Sequence, residues 1–144
     1  MRALRRLLAL SPAEQRLLIT AVMLVVAART SLRLFRYTTV RRLATRLARP
    51  AKRPPHLPAD RIAWAVSAAG WRAPGGRNCL AQALVAQVLL GRHSHETVLR
   101  LGVTHTPGSR LEAHAWLEHN GVVIVGGHGA ARYTPLPTLA GHLT

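Results

Sequence analysis

The sequence predicts an α+β protein, with helices first and a small antiparallel sheet last. Three observations carry that expectation. Residues 11–14, "SPAE", have the form of a helix start, with Ser11 as N-cap, Pro12 at the first helical position and Glu14 completing a capping box. Beyond His95 the apolar period changes from helical spacing to partial alternation. Finally, Asn120-Gly121 interrupts "EAHAWLEHNGVVIVGG", the strongest two-residue hairpin signal a sequence can carry.

Taken in order, the first long helix should run from about Pro12 to Phe35. A second, strongly basic helix is expected near Val40–Ala48, where Val40, Leu43 and Leu47 keep helical spacing and arginines fill the other faces. The stretch "RPAKRPPHLPAD" holds four prolines and reads as a linker. It separates a basic helical region, 1–50, from a core, 51–144, within one compact unit. A third helix should cover Ala59–Ala69, with Ile62, Trp64 and Val66 contributing to its apolar surface. "GWRAPGGRN" leads to Cys79, and the next helix should span Cys79–Leu90 and stop at Gly91 as a left-handed C-cap. "TVLRLGVTH" (97–105) is strand-like, "TPGS" is a turn, and the hairpin about Asn120-Gly121 completes a sheet packed behind the cysteine helix.

Composition narrows the function classes. With 49% apolar residues in 144, the chain can bury a core and is not disordered. Twenty basic residues against five acidic ones, a net charge of +15, point to an acidic partner. Nineteen of the twenty are arginine, a skew that a GC-rich genome also produces, and aromatic residues at 4% supply few stacking platforms for nucleic acid. One cysteine allows no internal disulfide, so a cytoplasmic protein is the default. The apolar stretch Leu17–Ala28 is shorter than the ~20 residues that span a bilayer. Arg2, Arg5 and Arg6 precede it as in a signal peptide, but the polar cap at Ser11–Glu14 favours a buried or partner-facing helix and no membrane span.

Cys79, the single thiol, is either a nucleophile or a small hydrophobe hidden in the core. Its expected place, in the first turn of a helix reached through a glycine-rich loop, favours a thiolate through the unpaired N–H groups and the helix dipole. The backbone amides at Asn78 and Cys79 would face an oxyanion developing on an attacked carbonyl. A base is then needed. Of eight histidines most sit beside turns or linkers, whereas His114 lies mid-strand. Strand alternation sets Glu112, His114, Trp116, Glu118 and Asn120 on one face, with the imidazole near an indole. The bland reading of His114 is a half-buried histidine satisfied by a neighbour. Metal chemistry would have to use "HSH" (93–95) with His105 or His128, and neither a cysteine pair nor an HExxH helix supports it, so no metal is expected.

"NCL" opening an apolar helix, then "LRLGV", "AHAWLEHNGVVIVGG" and "RYTPL", resembles the stand-alone transglutaminase-like cysteine peptidase of lasso-peptide biosynthesis, the form without a fused leader-binding domain. The resemblance covers about 78–136. "HAW" after a helix-start cysteine is common to the wider transglutaminase-like superfamily, and the combination with "LGV" and "RYTPL" is more specific. It implies a transglutaminase-like, papain-like fold, with Cys79 as nucleophile, His114 as base and Trp116 in the substrate pocket. The implied activity is removal of the leader from a ribosomally made precursor, with no cofactor. The implied partners are the precursor peptide, a separate leader-recognition protein and an ATP-dependent lasso cyclase. The arginine-rich N-terminal helices are candidates for docking them, or simply a cap on the core.

One departure from that family stands out. Its usual triad has an aspartate on the strand after the histidine, and no aspartate follows Asp60. Uninterrupted pairing from the Asn120-Gly121 turn sets Gly127 opposite His114. Glu118 shares the face of His114 but lies about 13 Å along the strand. The orienting group is therefore His128 brought round by a bulge, Glu118 through a bend, a backbone carbonyl, or a water beside Gly127. Two other functions fit the same residues: a basic binding module for nucleic acid or anionic membrane with a structural cysteine, and an acyl-transferring transglutaminase-like enzyme.

Overall fold

The computed structural model describes residues 1–50, 52, 57–72, 78–105, 107–108, 110–127 and 130–137. Five helices, α1 (Arg2–Leu8), α2 (Pro12–Leu34), α3 (Tyr37–Leu47), α4 (Ala59–Arg72) and α5 (Cys79–Arg92), precede the strands β1 (Val98–His105), β2 (Leu111–His119), β3 (Val122–Val125) and β4 (Thr134–Pro135). A 3-10 turn, Ala130–Arg132, leads into β4. The arrangement is the α+β one expected, helices followed by an antiparallel sheet.

The capping box at the start of α2 is formed at both ends. Ser11 Oγ accepts from the Glu14 N–H at 3.3 Å, and the Glu14 carboxylate accepts from the Ser11 N–H at 3.0 Å. From that start α2 buries Leu17, Leu18, Ala21 and Val25 along one face. By length and composition alone α2 could cross a membrane; in this fold 28% of its most apolar window is buried against protein. Helix α3 begins at Tyr37, three residues earlier than the spacing suggests, and buries Val40 and Ala44. Leu43 and Leu47 lie on its more exposed side, because the narrow side chain of Ala44, not a leucine, makes the closest approach to the core. In α4 the buried positions are Ile62, Ala63, Ala65, Val66, Ala69 and Gly70, which turns Trp64 outward.

Helix α5 is the hub. Ala81, Ala83, Leu84, Val85, Ala86, Val88, Leu89 and Leu90 are buried, so it is apolar nearly all round. Such a helix must be enclosed on several sides. It is covered by α2, α3 and α4 and by β1, β2 and β3. Leu84 and Leu90, almost wholly enclosed, each contribute about 1.5–3 kcal/mol of burial. Gly91 does not end the helix. It lies within the last turn, and a Cβ there would stand 2.2 Å from the carbonyl oxygen of Ala48. The glycine therefore serves the close approach of the end of α3, and the left-handed residue beyond the helix is Ser94, with φ 63°.

The sheet has the order β3-β2-β1-β4, antiparallel throughout. Asn120 and Gly121 take φ 51° and 78°, the two positive angles that a tight hairpin with the native strand twist requires. Leu99, Ala115, Leu117 and Val125 face the helices and join the core. On the opposite face Trp116 is buried beside Tyr133. Gly102 makes that possible, since a Cβ there would stand 2.7 Å from the Trp116 ring and 2.9 Å from Tyr133 Cβ.

Pairing across the β2–β3 hairpin is not uninterrupted. His119 pairs with Val122 and Glu118 with Val123, but Leu117 pairs with Val125, leaving Ile124 as an extra residue on β3. The expectation that Gly127 stands opposite His114 is corrected by this bulge. From Leu117 onward the register is shifted by one residue and β3 ends at Val125, so no β3 residue pairs with His114, and it is the His114 side chain that reaches the Gly126 carbonyl.

Candidate active site

Asn78 is the N-cap of α5, and its Oδ1 accepts from the Ala81 N–H at 3.0 Å. The next N–H along, at Gln82, donates to the Asn78 carbonyl. That leaves the N–H groups of Cys79 and Leu80, at the first two helical positions, with no acceptor inside the helix. The Cys79 thiol is partly exposed and free. It lines a cavity of about 440 Å³. The cavity is bounded by Ser67 and Trp71 of α4, by Cys79 and Gln82 of α5, and by His114 with Val123, Ile124, Gly126 and Gly127 at the far end of the hairpin.

The structure thus brings Cys79 and His114 to one cleft. The route differs from the one expected. The face of β2 that packs on the helices carries Ala115 and Leu117, and His114 stands on the other. It meets the cleft just beyond the end of β3, where Gly126 takes a left-handed conformation, φ 79°. The His114 ring stacks on Tyr133 and Trp116 at centroid distances of 5.0 and 6.1 Å, inclined by 28° and 25°. Its Nε2 is 2.6 Å from the carbonyl oxygen of Gly126. A carbonyl can only accept, so Nε2 carries the proton and the neutral ring holds its lone pair on Nδ1.

Of the groups considered for orienting His114, Glu118 is engaged elsewhere. Its carboxylate accepts from Trp116 Nε1 at 3.1 Å and pairs with Arg100 Nε at 3.4 Å. It makes no bond to His114, because two residues of strand and the buried indole lie between them. His128 lies outside the described residues. The backbone carbonyl of Gly126 occupies the place. Trp116 also departs from expectation: only 4% exposed, it lies behind the imidazole and does not line the cleft. Trp71, 67% exposed, is the aromatic residue on the cleft wall. Sequence reasoning missed Trp71, Ser67 and Gln82. For Gln82 the available signal was its spacing, three residues beyond Cys79 on the same helix.

Two other histidines are committed apart from this site. His95 Nε2 lies 2.7 Å from the Leu57 carbonyl and His119 Nδ1 lies 2.7 Å from that of Glu96. Among the described residues no group of three or more His, Cys, Asp or Glu comes together to hold a metal ion.

A cysteine at a helix start and a histidine on the adjoining sheet, lining one cleft of an α+β fold, define a protein of the papain-like cysteine peptidase or acyl-transferase kind. The family model described as transglutaminase-like superfamily matches residues 22–138, and the chain belongs to that superfamily. Members generally carry Cys-His-Asp sites; here the aspartate has no counterpart, and a main-chain carbonyl meets the histidine. Neither a curated protein nor a solved structure matches the chain.

Proposed function

We propose that this chain is a cysteine peptidase that removes the leader from a lasso-peptide precursor. The observation that carries the reading is the shared cleft of Cys79 and His114, with His114 Nε2 held by the Gly126 carbonyl so that Nδ1 is the basic atom. The resemblance of "NCL", "LRLGV", "AHAWLEHNGVVIVGG" and "RYTPL" to the stand-alone leader peptidase supplies the substrate class.

In this reading His114 Nδ1 takes the Cys79 thiol proton, and Sγ attacks the scissile carbonyl carbon. The carbonyl π pair moves to oxygen, where the free N–H of Cys79 stabilises the charge. Collapse of the tetrahedral species breaks the C–N bond, and the leaving amine takes the proton from His114. Water, deprotonated by His114, then hydrolyses the thioester. No cofactor enters any step. The precursor peptide, a separate leader-recognition protein and an ATP-dependent cyclase are the proposed partners, in the cytoplasm.

The test is incubation with the neighbouring precursor peptide and leader-recognition protein, followed by mass analysis. Leader and core peptides whose masses sum to that of the precursor plus one water are the expected products. An amide joined to an added amine instead would identify an acyl transferase. Binding of generic polyanions with no cleavage, unaffected by Cys79→Ala, would replace the enzyme with a basic binding module.

A further inference from the structure

We propose that Gln82 is the second hydrogen-bond donor to the substrate: its side-chain N–H binds the carbonyl oxygen of the peptide bond cut at Cys79. This rests on the reading of Cys79 as the nucleophile. Residues three apart on a helix lie one above the other on the same face, and Cys79 and Gln82 both line the cleft. The Gln82 amide also packs closely on the neighbouring helix. It lies flat against Gly70 of α4, where a Cβ would stand 2.2 Å from Gln82 Cδ and 2.3 Å from its Nε2. No residue but glycine at 70 leaves room for the amide in that position.

A glutamine amide held this way normally satisfies itself on nearby carbonyls, as Gln15 does by donating to the carbonyls of Leu7 and Leu10, both at 3.1 Å. The Gln82 amide makes no such bond among the described residues, and it is not shut away from the cleft. Its donors are left for whatever enters. When Sγ bonds to the carbonyl carbon and the π pair moves to oxygen, the new charge meets the Cys79 N–H from the main chain and the Gln82 N–H from the side chain. Two donors meeting one developing oxyanion are what acyl transfer requires.

The proposal separates from its premise by comparing two reagents on the full chain. N-acetylglycinal adds reversibly to a thiolate: Sγ bonds to the aldehyde carbon, and the oxygen gains the charge and then a proton. Iodoacetamide alkylates the same thiolate by displacing iodide, with no oxyanion. Aldehyde affinity is read as protection of Cys79 against iodoacetamide. Gln82→Ala, and Gln82→Met of similar length without a donor, are each expected to weaken aldehyde binding at least about tenfold relative to the alkylation rate. Gly70→Ala, which displaces the amide, should act in the same direction in the wild-type background and add nothing to Gln82→Ala. Unchanged aldehyde affinity with a reactive Cys79 overturns the role of Gln82 and leaves the nucleophile standing. A wild-type thiol that reacts only after denaturation overturns both.

Discussion

Gly126→Ala tests whether a main-chain carbonyl does the work that an aspartate does elsewhere in the superfamily. Two costs can be worked from the structure. At φ 79° an alanine is strained by about 1–2 kcal/mol. Its Cβ would also stand 2.7 Å from the Ala115 carbonyl oxygen and 3.1 Å from Trp116 Cα. Both contacts are backbone and neither can swing aside, so the bulge must move, adding about 1–3 kcal/mol. The Gly126 carbonyl moves with it, away from His114 Nε2. A hydrogen bond to a charged imidazolium contributes about 1.5–3 kcal/mol, so the cleavage rate should fall roughly 10- to 100-fold. Gly121→Ala is the control: φ is 78° there but no atom lies within 4 Å of the added Cβ. It should lose about 1–2 kcal/mol of stability and keep its rate. Urea denaturation and initial rates, taken where both variants are folded, give the two quantities. A wild-type rate in Gly126→Ala, or an equal rate loss in Gly121→Ala, refutes the reasoning.

Two further predictions concern the scaffold. Gly91→Ala should destabilise the fold by about 1–3 kcal/mol in urea titration, although alanine is the better helix former, because its Cβ meets the Ala48 carbonyl at 2.2 Å; equal or greater stability would deny the close approach of α3 and α5. The Glu14 carboxyl is held below its ordinary value of 4.5 by the Ser11 N–H and hydroxyl, with Arg61 adding to them. A lowered folded value means that its contribution is present above the unfolded value and is lost as pH falls through the folded one. Thermal melts should therefore show wild type above Glu14→Gln at about pH 6, with the gap closing as pH falls through the lowered folded value. A gap that persists at lower pH would contradict the capping box as its source.

Local chemistry made part of this legible in advance. Ser11, Pro12 and Glu14 specify a helix start within four residues, and Asn120-Gly121 specifies a turn within two, so neither depends on tertiary context. Gly91 was ambiguous because a left-handed C-cap and a tight helix crossing both ask for a residue without Cβ, and only the position of Ala48 decides between them. The bulge was hidden for a different reason. "VVIV" is β-branched and apolar at every position, so nothing in it marks Ile124 as the unpaired residue. That one-residue slip, with the end of β3 at Val125, removed the expected pairing of Gly127 with His114. The accepting group itself was out of reach, since a carbonyl belongs to every residue and leaves no signature in a sequence. Gln82 was concealed among the apolar residues of α5, and only the contact with Gly70 distinguishes its amide from a solvated one.

The central claim, that Cys79 carries the acyl group while His114 moves the proton, is tested most directly by single-turnover reaction with the precursor peptide and leader-recognition protein, quenched in acid and read by intact mass. The account predicts a transient species in which the leader is joined to Cys79 as a thioester with loss of the core peptide, absent from Cys79→Ala and strongly reduced in His114→Ala. Cleavage by Cys79→Ala at the wild-type rate would contradict it.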